Sequence, residues 1–247
     1  MIKIRGNIIL LGTSHVSKQS QKQIKDVIEK YSPKVVGIEL DYGRFKSLMS
    51  NSKSKKNPSF FQLVNQFGGS GAIFALIAGH FQNKIGKKLN IEPGIDMKTA
   101  YLISRENKIP TSLIDLNIKT TMRKISKLSF LKKFMMFSKL ILKSFDKKYR
   151  NKFKFNIKTG VPEEHILLEL LKLVKKEIPL FYNILIEDRN KFMVKKLLKL
   201  KTLHPDGYIL AVVGAGHVDG MAKILDKHFQ KENSHIVVDR KFTVNLS

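Results

Sequence analysis

Short apolar runs alternate with amphipathic helical patterns at both ends of this chain, and that βα rhythm limits its fold more than any other feature. "NIILLG" is a strand bounded by glycines, and "SKQSQKQIKDVIEKYS" is a helix with Ser17 as N-cap and Ile24, Val27, Ile28 and Tyr31 on one face. "KVVGIEL" is a second buried strand, "DYGRFKSLMS" begins a helix, "PGIDMKTAYLISREN" has Pro and Gly at a helix start, and "IPTSLIDL" is a third strand. After "HPDG" the rhythm returns as strand "YILAVVG", helix "VDGMAKILDKHFQK" and strand "HIVVD". Residues 117–202 differ: they are long, helical, Lys-rich and free of strand signals, with Pro179 marking a kink or break. The expected architecture is α/β, with a central mixed, mostly parallel sheet flanked by helices. Residues 1–247 form one domain, 117–202 are a helical insertion, and the first and last segments share one sheet.

A chain of 247 residues can bury a sizeable core. It has no Cys, which excludes disulfides, thiolate zinc sites and a Cys nucleophile. Its formal net charge of +26 favours polyanionic surroundings. The charge concentrates between Arg123 and Lys158, where thirteen bases accompany one acid, Asp146. Within that segment Phe130, Phe134, Phe137, Leu140, Ile141 and Phe145 recur at helical spacing. Basic helices over 123–158 therefore suit an anionic membrane surface. A core-packing helix with a solvated basic face accounts for the same pattern, and the apolar faces equally suit a homodimer. Nucleic acid is the disfavoured partner, because no helix-turn-helix, zinc finger or aromatic RNA platform is legible. The N-terminus enters a strand pattern directly, and the longest apolar run, residues 72–81, is too short to span a bilayer. The expected location is cytoplasmic, with peripheral association at the membrane, or an anchor there in a segment beyond residue 247, as further options.

Two strands end in the same device. "LLGTSHV", residues 10–16, and "VVGAGHV", residues 212–218, each carry Gly-x-x-His. In open α/β sheets ligands bind at the carboxyl ends of the strands, and four candidates fall there: His15, Glu39, Asp115 and His217. Two imidazoles and two carboxylates suit a divalent metal or a general acid–base pair. The Gly turns the chain off the strand, and Ser14 and Gly216 keep the space beside each His open. A single His after a strand is more often a cap or a core residue, but matched flanks at both ends favour a shared role. Glu39 and Asp115 could instead cap the helices that follow them. Arg44, five residues past Glu39, could hold a carboxylate or a substrate anion. "LIEDRNKFM" gathers Glu187, Asp188, Arg189 and Asn190, where ion pairing on a solvated face is the default. No P-loop and no nucleophile elbow is present.

"GTSHVS", "VVGIELDYGR", "GGSGAIFALIAGHFQNKIG", "PGIDM", "IDLNIKTTMR", "EDRNKFM" and "VVGAGHVDG" occur in that order. Together they resemble the TraB/PrgY pheromone-shutdown family, which is similar to the Tiki metalloproteases and to erythromycin-esterase-like and ChaN-like proteins. The resemblance implies an active site built from the two Gly-x-x-His histidines and a Glu. In the Tiki-like proteins such a site is linked to peptide hydrolysis that depends on a divalent metal, with Mn²⁺ or Co²⁺ favoured. Carried onto this chain, His15, Glu39 and His217 are the metal or catalytic candidates. Arg44, Gln82, Asp96, Asp115, Arg123, Arg189 and Asn190 fall on polar motif positions. Two segments depart from the pattern. Asp115-Leu116-Asn117 stands where relatives often read Asp-Arg-Asp, and Asp188-Arg189-Asn190 where they often read Glu-Arg-Asp. These changes remove an Arg and two carboxylates from the charge relays the pattern implies.

The reading favoured is a metal-dependent hydrolase acting on peptides. His15 and His217 are its metal ligands, and Glu39 is a ligand or the general base. Arg189 or Arg44 holds a substrate carboxylate or the developing oxyanion. Nitrogen and oxygen ligands accept Mn²⁺, Co²⁺, Zn²⁺ or Fe²⁺ alike. The alternative is a non-catalytic domain that sequesters a peptide or small ligand at a membrane surface.

Overall fold

The computed structural model describes residues 1–13, 17–50, 94–129, 171–172 and 174–244. The Gly-rich "GGSG" segment and the Lys/Phe-rich stretch from Phe130 to Phe155 lie outside the described residues.

Among the described residues, five strands form one sheet: β1 (Ile2–Arg5), β2 (Ile8–Thr13), β3 (Val35–Ile38), β4 (Thr111–Leu113) and β5 (Ile209–Gly214). Their spatial order is β1-β2-β5-β3-β4. β1 and β2 pair antiparallel, and every other neighbouring pair is parallel. The opening segment "KIRGNIILLGT" is thus a hairpin, broken where Gly6 takes a φ of +56°. Asn7 Nδ2 donates to the Gly207 carbonyl at 2.7 Å and ties this turn to the loop before β5.

Helices cover both faces, which accounts for strands that read as unbroken apolar runs. Ile8, Leu10, Ile209, Ala211 and Val213 point to one side. They pack there on α6 (Asp188–Leu203) through Met193, Val194 and Leu197, and on α7 (Ala215–Val244) through Val218, Met221 and Leu225. Ile9, Leu11, Val36, Ile38, Leu210 and Val212 point to the other side. They meet Ile24, Val27 and Ile28 of α1 (Ser17–Tyr31) and Met97, Ala100 and Ile103 of α3 (Ile95–Glu106). Each fully buried Leu, Ile or Val contributes about 1.5–3 kcal/mol, so the central strands make a rigid base for whatever sits at their ends.

Four further segments approach that sheet edge. α2 (Tyr42–Met49) leaves β3, and α4 (Ile118–Ser126) follows β4. Ile178 breaks the chain before Pro179, which opens the short α5 (Pro179–Tyr182) from its first position. A π-helical stretch, Asn183–Glu187, then leads into α6. π-turns are rare and cluster at functional sites.

One expected strand is not formed. Residues 235–239, "HIVVD", continue the helix α7 to Val244. No Gly or Pro occurs between Met221 and Val244, so nothing stops the helix. The helical penalty of Ile and Val is only a few tenths of a kcal/mol per residue. Among the described residues no helix is long and apolar enough to cross a membrane.

Candidate functional site

The two Gly-x-x-His strands lie side by side. β2 and β5 are parallel neighbours, with Gly12 opposite Val213 and Thr13 opposite Gly214. Close packing needs the first Gly: a Cβ on Gly12 would stand 2.7 Å from Val218 Cγ2 and 3.1 Å from the Ala215 backbone. His217 lies in the first turn of α7 and is buried. His15 and Ser14 fall outside the described residues, as does Gln82.

Glu39 arrives from the neighbouring strand. Its backbone N–H donates to the Val212 carbonyl at 3.1 Å, which continues the β3–β5 ladder one residue past β3. The side chain then lies over the end of β5, where Oε2 accepts the Gly214 N–H at 2.6 Å. Oε1 accepts from Arg189 Nη2 and lies 3.4 Å from His217 Nε2. Burial opposes its charge, but the His217 ring, the Arg189 guanidinium and the Gly214 N–H outweigh that. Together they hold the Glu39 carboxyl well below the usual carboxylate range.

Arg189 is the hub. Nε donates to Asp115 Oδ1 at 3.0 Å, Nη2 to Asp115 Oδ2 at 2.6 Å and also to Glu39, and Nη1 to the Leu185 carbonyl at 3.5 Å. Burial works against the guanidinium's charge, but Glu39 and Asp115 outweigh it and raise its pKa above the usual arginine value. The Leu185 carbonyl belongs to the π-helical stretch, so that irregular turn also supplies a contact to the hub. Arg189 thus acts as a clamp on two carboxylates.

The network extends outward through Arg44. Its Nη2 donates to Asp115 Oδ2 and its Nε to Asp41 Oδ2 at 2.6 Å. The carboxylate that sequence reasoning left open for Arg44 is thus one of the chain's own. Asp41 also caps α2, with Oδ1 accepting the N–H groups of Gly43 at 2.9 Å and Arg44 at 3.2 Å. Asn117 caps α4, its Oδ1 accepting the Lys119 N–H at 2.9 Å. Neither Glu39 nor Asp115 is a helix cap, because the caps sit two residues beyond each and free both carboxylates for the cluster.

His217 Nδ1 lies 2.6 Å from Asn190 Oδ1. Asn190 is fully buried on α6, and Gly220 on α7 makes room for it: a Cβ there would stand 2.2 Å from Asn190 Nδ2. The solvated face expected for "LIEDRNKFM" therefore holds for part of it only. Asp188 pairs with Lys124 at 2.6 Å, whereas Arg189 and Asn190 turn inward. Asp96 is buried in the first turn of α3, within the layer that faces α1, and Arg123 is exposed on α4. Among the described residues no group of three His, Asp or Glu side chains is placed to hold a metal.

Residues 2–232 match the family model described as the TraB/PrgY/gumN family. The chain belongs to this family. It is also 34% identical over 223 residues to an uncharacterized protein of Methanocaldococcus jannaschii, an alignment covering 90% of this chain and 54% of that protein. The chain thus spans about half the length of the curated relative it matches. In this TraB-family chain the two altered segments keep their central contacts. Asp115 and Arg189 form the paired core, Asn117 serves as a cap, and Asn190 engages His217. Asp41, Gly220 and the Leu185 carbonyl escape the sequence reading, although Asp41 just before "YGRF" carries an N-cap signal.

Proposed function

We propose that this chain is a divalent-metal-dependent hydrolase whose substrates are peptides, with the crevice over β2, β5 and β3 as its active site. The observation that carries the reading is the pairing of His217 with Glu39. Asn190 takes up Nδ1 of His217, so Nε2 is the atom left to bind, and Glu39 Oε1 lies 3.4 Å from it. A ligating His whose other nitrogen is held by an oxygen acceptor is the usual arrangement at metal centres.

Two donors for such an ion, His217 and Glu39, stand together. Among the described residues, three carboxylates (Asp41, Asp115, Glu39) and two guanidiniums (Arg44, Arg189) leave the cluster one negative charge in excess, which favours a cation. His217 and Glu39 would hold it, with His15, two residues past β2 in the sequence, the third candidate. A bound Mn²⁺, Co²⁺, Zn²⁺ or Fe²⁺ would supply a water of lowered pKa and polarise the scissile carbonyl. Arg189 and the Gly214 N–H fix the Glu39 carboxylate beside Nε2, which suits it to ligation. Arg189 fixes that carboxylate's orientation through its second hold on Asp115.

The test is turnover of a diverse peptide library by the full chain, with added Mn²⁺ or Co²⁺ and with chelator, alongside His217→Ala. Cleavage that needs the metal and disappears in His217→Ala supports the reading. Peptide binding without cleavage under every metal would replace it with sequestration.

A further inference from the structure

His217 has two ring nitrogens, and they are held unequally. Nδ1 lies 2.6 Å from Asn190 Oδ1, a short hydrogen bond, whereas Nε2 lies 3.4 Å from Glu39 Oε1, beyond the ordinary range for N–H···O. An amide oxygen only accepts, so the short contact requires the proton on Nδ1. In the neutral ring Nε2 then carries the lone pair.

The Asn190 amide is fully buried on α6, and among the described residues its Nδ2 has no hydrogen-bond partner. Leaving a buried amide half satisfied costs stability, and a Leu of similar size would avoid that cost. Gly220 is shaped to the same contact, since any side chain there would strike Asn190 Nδ2. Two positions on two helices are thus committed to one hydrogen bond on one imidazole. Because the acceptor is neutral, it orients the ring without adding a further negative charge beside Glu39.

We propose that Asn190, seated against Gly220, is a positioning residue that holds His217 as the Nδ1–H tautomer and presents its Nε2 lone pair to the crevice. What Nε2 then binds rests on the metal reading above. The tautomer itself is a property of the metal-free chain.

The test uses the full chain, metal-free and labelled with ¹⁵N in the histidine rings, with His217 assigned by its loss in His217→Gln. At a pH where the ring is neutral, the expected spectrum shows Nδ1 protonated and Nε2 not. Asn190→Asp, which keeps an oxygen acceptor, retains that pattern. Asn190→Ala and Gly220→Ala lose the single tautomer, and both weaken Mn²⁺ affinity about 10–100-fold. A parent protein with its proton on Nε2 overturns the proposal without reference to any variant. So does an Asn190→Ala protein whose tautomer is unchanged. A parent in the Nδ1–H form that binds no metal leaves this proposal standing and removes the metal reading alone.

Discussion

Arg189 and Asp115, 74 residues apart in sequence, meet in a bidentate ion pair, with Nε donating to Oδ1 at 3.0 Å and Nη2 to Oδ2 at 2.6 Å. The Asp115 side chain is fully buried and that of Arg189 is 17% exposed. Removing one partner of a buried pair costs about 3–5 kcal/mol when the other charge is left uncompensated. Arg44 and the Leu116 N–H still hold Asp115, so Arg189→Ala is expected to lower urea-unfolding stability by less than that amount. Arg189→Lys recovers only part of it, since one ammonium cannot reproduce the planar fork that reaches both carboxylates. Equal stability of the parent and Arg189→Ala would show that the pair contributes nothing.

The glycines of the two Gly-x-x-His devices differ in purpose. At Gly12 an added Cβ meets Val218 at 2.7 Å and the Ala215 backbone at 3.1 Å, so Gly12→Ala is expected to cost about 1–3 kcal/mol by overpacking. At Gly214 the nearest atom is Glu39 Oε2 at 3.4 Å, and the N–H that holds this oxygen survives substitution. Thermal melts of both variants should show a clear loss for Gly12→Ala and a much smaller one for Gly214→Ala. The reverse order would contradict the packing described.

Asp41 links the helix α2 to the charge network. Asp41→Ala removes the cap and should cost about 0.5–2 kcal/mol, whereas Asp41→Asn keeps a capping oxygen and costs less at neutral pH. Burial opposes the charge of Asp41, but Arg44 and the cap N–H groups outweigh it and lower its pKa. A carboxyl lowered in the folded state contributes stability above its unfolded pKa, about 3.9, and loses it as pH falls through the lower folded value. The parent should therefore lose stability below pH ~4 more steeply than Asp41→Asn. Parallel acid-unfolding curves for the two proteins would refute this.

The four strand ends that carry the candidate residues were legible because the strands between two helical layers are unbroken apolar runs. Each run ends where polarity begins, and that point is the sheet edge. Glu39, Asp115 and His217 could be placed there on this ground alone, and Gly12 and Gly214 marked two strands that prove to be neighbours. What joins the residues was not legible. Whether Asp115 caps a helix or anchors Arg189 turns on two residues of loop, and the inward face of Arg189 and Asn190 on a π-turn without a sequence signature. The Gly6 hairpin was hidden inside an apparently single strand pattern, and "HIVVD" misled because local β-preference yields to a helix with nothing to end it.

Metal content of the purified full chain after reconstitution with Mn²⁺, measured by mass spectrometry beside His217→Ala, decides whether this site holds an ion. Close to one ion per chain is expected in the parent and none in the variant, with folded structure retained by circular dichroism. A parent that holds no ion, or a His217→Ala protein that keeps it, would overturn the metal reading.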